Sequence, residues 1–68
     1  MKAYRLLTAE DTSAFCHKVT KALAEGWELY GSPAYGYDAA NGIMRCAQGV
    51  TKDVPGVDYT PDIKLGQL

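Results

Sequence analysis

The chain has 68 residues, 47% of them hydrophobic, with seven Lys and Arg against eight Asp and Glu for a formal charge of −1. That length holds one domain, and at this size only about 60% of the surface of the unfolded chain is buried on folding. The near-balanced charge excludes a global field that would favour nucleic acid or an anionic membrane.

So thin a core usually draws on disulfides, a metal or a partner subunit. Cys16 and Cys46 are too few for a disulfide scaffold, and both fall in apolar segments, so they read as buried free thiols. The opening Met1-Lys2-Ala3-Tyr4-Arg5 places an arginine where a signal peptide would be apolar, and no apolar run approaches membrane-spanning length. The expectation is a cytoplasmic, reducing location without a membrane partner.

Residues 3–8, short and rich in aromatic and aliphatic side chains, suit a first strand. Thr8 stands three residues before Asp11 in the manner of a capping box, and Asp11, Thr12 and Ser13 are alternative caps. The pattern predicts a helix over 11–25, with Phe15, Val19, Ala22 and Leu23 in one apolar stripe and Cys16 beside it. Lys18, Lys21 and Glu25 take the wet side, and Gly26 ends the helix where a left-handed residue is needed. Residues 27–30 alternate with period two as a second strand, Gly31-Ser32-Pro33 marks a bulge or bend, and the strand resumes from Tyr35 to Tyr37. Residues 38–42 form a hairpin loop, and a third strand runs from Ile43 to about Val50. From Asp53 onward, two prolines and two glycines without periodicity predict an irregular tail.

These elements define an α+β domain over residues 1–52: β-α-β-β, with a three-stranded, mainly antiparallel sheet, one helix on one face, and an extended tail over 53–68. The first strand can pair with either of the other two, and the place beside the third, giving an all-antiparallel sheet, is favoured. The helix must cover one sheet face, and Tyr4, Leu6, Trp27, Leu29, Met44 and Cys46 supply it. The opposite face would then carry Arg5, Leu7, Glu28, Tyr30, Ile43, Arg45 and Ala47, with Glu28 between the two arginines.

The segments Tyr4-Arg5-Leu6-Leu7-Thr8, Phe15-Cys16-His17-Lys18-Val19 and Ala24-Glu25-Gly26-Trp27-Glu28-Leu29-Tyr30-Gly31-Ser32-Pro33 resemble the small bacterial and phage family called domain of unknown function 1737. Gly-Trp-Glu-Leu followed by Gly-Ser-Pro is the most specific part, and the resemblance covers about the first fifty residues. It implies a compact β-α-β-β unit and supplies no catalytic residues. The tail lies outside it.

No constellation for chemistry emerges from the residues. Cys16 and His17 are adjacent on the helix and point about 100° apart, so they do not form a dyad. One His and two separated Cys do not make a metal site. Glu10, Asp11, Asp58 and Asp62 read as cap and loop residues, and the glycines form no phosphate-binding loop. No cofactor is expected.

The leading expectation is therefore a non-enzymatic module that pairs with itself through Arg5, Leu7, Glu28, Tyr30, Tyr35, Tyr37, Ile43 and Arg45. The tail, through Val57, Tyr59, Ile63 and Leu65, would lie as an arm on a neighbouring subunit. The alternative is a small-ligand or single-stranded nucleic-acid binder that uses the same Tyr and Arg side chains for stacking. An enzyme with a site between subunits ranks third.

Overall fold

A computed structural model describes residues 1–68. The chain forms β1 (Lys2–Glu10), α1 (Ser13–Ala24), β2 (Glu28–Asp38), β3 (Ile43–Asp53) and a 3₁₀ turn at Leu65–Gln67. The sheet order is β1-β3-β2, and both pairings are antiparallel. The first strand thus lies beside the third, as the sequence suggested, and α1 carries the chain across the sheet from one edge to the other.

The helix starts at Ser13, since the β1–β3 ladder runs on to Asp11, whose N–H donates to the Met44 carbonyl at 3.0 Å. Thr12 becomes the cap, its hydroxyl accepting from the Ala14 N–H at 3.3 Å. Gly26, at φ 97°, turns the chain out of the helix, and the Trp27 N–H returns to the Ala22 carbonyl at 3.1 Å.

The Gly-Ser-Pro segment is a bulge inside β2: the register passes from Tyr30 opposite Gly49 to Ala34 opposite Ala47. A bulge releases backbone carbonyls from the ladder. Gln48, only 6% exposed, collects them, its amide donating to Tyr30 O and Gly31 O, both at 3.3 Å. A buried amide is stable there because it is satisfied.

The core comprises Ala3, Leu7, Ala22, Trp27 and Val50, with Val19, Met1, Leu65 and Leu68 packed against it. Trp27 is its largest member and lies between two cations, with Arg5 Cζ 5.2 Å and Lys52 Nζ 5.8 Å from the ring centre. Lys52 also donates to the Glu25 carbonyl at 2.8 Å and to a Leu68 oxygen at 2.5 Å, which fastens the chain end. Met1 and Val54 exchange hydrogen bonds at 2.7 Å, starting the tail's return.

The tail is irregular, as predicted, but it turns back on its own chain. Leu65, expected in an arm on a neighbour, packs instead against this chain's core. Val57 and Ile63 are half-buried, while Tyr59 is 69% exposed. The 3₁₀ turn that carries Leu65 lies against β1.

The first strand also presents the opposite face from that expected, while β2 and β3 face as expected. In β1 the odd-numbered residues Ala3 and Leu7 are buried under α1, whereas Tyr4 and Leu6 are 49% and 59% exposed on the other side. Leu7 and Arg5 therefore leave the predicted open face, and Tyr4 and Leu6 join it. Ala3 shares the buried cluster with Ala22 of α1, and a side chain the size of tyrosine in its place would overpack it. Leu23 is left 43% exposed, and Cys16, read as buried, is exposed. No helix is long and apolar enough to cross a membrane.

Candidate interaction surface

The face turned away from α1 gathers residues from all three strands. The registers place Tyr4, Leu6 and Thr8 of β1 beside Thr51, Gly49 and Ala47 of β3, with Glu28, Tyr30 and Ala34 of β2 beyond them. Gly49 is its centre. A Cβ there would stand 3.1 Å from both Cε2 and the hydroxyl of Tyr4, and 3.2 Å from the Tyr30 carbonyl oxygen. The missing side chain lets the Tyr4 ring cross the sheet and meet Tyr30 edge-on, with ring centres 6.4 Å apart at 90°. Leu6, directly opposite Gly49, completes an apolar cluster.

Toward the hairpin the same face becomes polar. Asp38 accepts from the Arg45 Nε and from the Asn41 side-chain amide, both at 2.8 Å, and from the backbone N–H groups of Ala40 and Asn41. The Asn41 and Arg45 hydrogen bonds hold its carboxyl down at about 2. The loop is thus built around Asp38, and Gly42 at φ 65° closes it. Between this ion pair and the aromatic cluster runs an open groove of about 520 Å³, floored by Thr8, Ala34, Gly36 and Ala47.

The remaining expected residues lie on the helix side or have other partners. Tyr35 and Tyr37 pair with Cys46 and Met44 and share the helix side of the sheet. The Tyr35 hydroxyl donates to Asp11, and the Cys46 thiol lies 3.7 Å from the other Asp11 oxygen. The hydrogen bond to Asp11, followed by desolvation, raises the Tyr35 pKa. Desolvation, followed by the Asp11 charge, raises that of Cys46, opposite to what a thiolate nucleophile requires. Asp11 is a clasp between the helix start and the hairpin.

Glu28 sits opposite Thr51 and makes no ion pair with Arg5 or Arg45, because Arg5 is across the sheet and Arg45 is held by Asp38. The predicted charge cluster does not form. Of the eight face residues named from sequence, Glu28, Tyr30, Ile43 and Arg45 share the open side; Arg5, Leu7, Tyr35 and Tyr37 do not. The stacking platform of three tyrosines and two arginines is therefore split between two faces. Sequence reading missed Tyr4, Leu6 and Gly49. The signal for Gly49 was available, since glycine within a strand marks a close approach.

The architecture defines a class: a split β-α-β sheet with one face under a helix and the other open. A family model described as "Domain of unknown function (DUF1737)" matches residues 1–53, so this chain belongs to that family. The match ends with the last residue of β3, and the tail packed on the core lies beyond it. No curated protein and no solved structure matches the chain.

Proposed function

We propose that this protein is a non-enzymatic interaction module that associates with copies of itself through the open side of its sheet. The observation that carries the reading is surface in excess. The chain exposes 4833 Å², about 600 Å² more than the roughly 4200 Å² of a compact monomer of its mass. Its radius of gyration is 13.5 Å, against about 11 Å for a compact chain of this length. Only seven of its 68 residues are buried, so the isolated protomer has little core to spare.

On the open face Tyr4, Leu6 and Tyr30 are the large exposed hydrophobic side chains, and a contiguous apolar patch of this kind is typical of an interface. Aromatic side chains at its centre are the usual anchors of binding energy. The test is sedimentation velocity on the full chain and on Leu6→Ser and Tyr30→Ser variants. Both substitutions are on exposed side chains, so they leave the core intact and are expected to shift the protein toward monomer. Unchanged sedimentation of both variants would remove the open face from the interface.

A further inference from the structure

The two edges of the sheet are not alike. β2 is interrupted by its bulge, by Gly31 at φ 72° and by Pro33, devices that blunt a sheet edge. β1 runs nine residues without Gly, Pro or a bulge. Because Met1 and Val54 exchange hydrogen bonds, the alternation of an antiparallel ladder gives the backbone groups of Ala3, Arg5, Leu7 and Ala9 to β3. Those of Lys2, Tyr4, Leu6, Thr8 and Glu10 point outward, and these same five side chains are the exposed ones.

We propose that two copies join along β1, antiparallel about a two-fold axis through Leu6, to make a continuous six-stranded sheet. This rests on the self-association proposed above and adds to its open-face contact a second, edge-to-edge one that does not involve Tyr30. The β1 sequence is self-complementary in that arrangement. It is the only register that pairs all nine residues, and it sets Leu6 opposite Leu6, Tyr4 opposite Thr8, and Lys2 opposite Glu10 at both ends. Neither Lys2 nor Glu10 has an ion-pair partner within its own chain, and opposite charges directly across strands stabilise a pairing. The axis falls on a residue with outward backbone groups, so the two Leu6 residues exchange hydrogen bonds across it. The open faces then merge, bringing both Tyr4–Leu6 clusters onto one surface. Lys18 Nζ, 2.9 Å from the Thr8 carbonyl, makes the one side-chain hydrogen bond to this edge, and as an exposed lysine it can release it when the strands meet.

The test has two arms, both on the full chain and beside a mass measurement. In the first, Leu6→Cys is introduced with Cys16→Ser and Cys46→Ala. Hydrogen-bonded antiparallel partners stand about 5.5 Å apart at Cα, within the range a disulfide spans, so mild oxidation should give a covalent dimer. In the second, Lys2→Glu and Glu10→Lys are each expected to weaken association by about tenfold at low salt, since each creates two like-charge pairs. The double variant should restore it. Association that persists with no Leu6→Cys cross-link and no response to either charge reversal would overturn the β1 seam while leaving self-association standing. A monomer at every concentration would overturn both. The charge-reversal arm stays decisive if the cysteine variant does not fold.

Discussion

The Tyr4 ring lies across Gly49, so close that a methyl group on Gly49 would stand 3.1 Å from it. One backbone position without a side chain therefore shapes the open face of the sheet.

Gly49→Ala should consequently destabilise the protein by about 1–3 kcal/mol, the usual range for overpacking. The Tyr4 ring can swing aside, but the Tyr30 carbonyl, 3.2 Å away, is backbone and cannot. Gly36→Ala is the control, since nothing lies within 4 Å of its Cβ position. Urea denaturation of the two variants should show a clear loss for the first and near-unchanged stability for the second.

Removing the tail should cost stability even though it lies outside the family match. Leu65 and Leu68 pack on the core, and full burial of one such side chain is worth about 1.5–3 kcal/mol. A chain of this size has only about 3–10 kcal/mol in total. A version ending at Lys52 should melt at a distinctly lower temperature. An unchanged melting curve would mean that the tail does not rest on the core in solution.

The hairpin carries a pH dependence set by Asp38. Its carboxyl sits at about 2, below the ordinary 3.8, so the loop stabilisation it provides is complete above about pH 4 and is lost as pH falls toward 2. NMR titration of the Asp38 carboxyl carbon should show a midpoint near 2. Asp38→Asn should release Arg45 and broaden the resonances of Asn41 and Gly42.

The clasp at Asp11 makes the opposite prediction. Tyr35 is raised above its ordinary 10.0 by the hydrogen bond to Asp11, so that bond stabilises the fold below about pH 10 and is lost as pH rises through the folded value. In an alkaline absorbance titration one of the five tyrosines should ionise late, and Tyr35→Phe should abolish that phase. At the same site the raised, half-buried Cys46 thiol should react with maleimide far more slowly than exposed Cys16.

Much of this architecture was legible in the sequence. Gly26, the Gly-Ser-Pro bulge and the Asn41-Gly42 turn are residues whose backbone chemistry fixes what the chain can do locally, and each stands where it was expected. Strand facing was not legible in β1. Its run Tyr-Arg-Leu-Leu offers an apolar residue to either face, and size alone favours Tyr4 and Leu6 over Ala3 and Leu7. A slip of one residue reverses every side chain, and the choice rests on packing against Ala22 of α1, a tertiary effect. The tail's return to the core was equally hidden, because Leu65 and Leu68 show no periodicity and the 3₁₀ turn that begins at Leu65 meets β1, more than fifty residues back. On the surface, Arg45 and Tyr30 were placed correctly, but the Asp38 partner that occupies Arg45 lay in a segment read only as a loop.

The most direct test of the account is the absolute mass of the full chain by light scattering on a sizing column across a concentration series. Self-association through the sheet predicts a mass at least twice the 7.4 kDa of one chain, falling toward it on dilution. A mass of one chain at every concentration would contradict it.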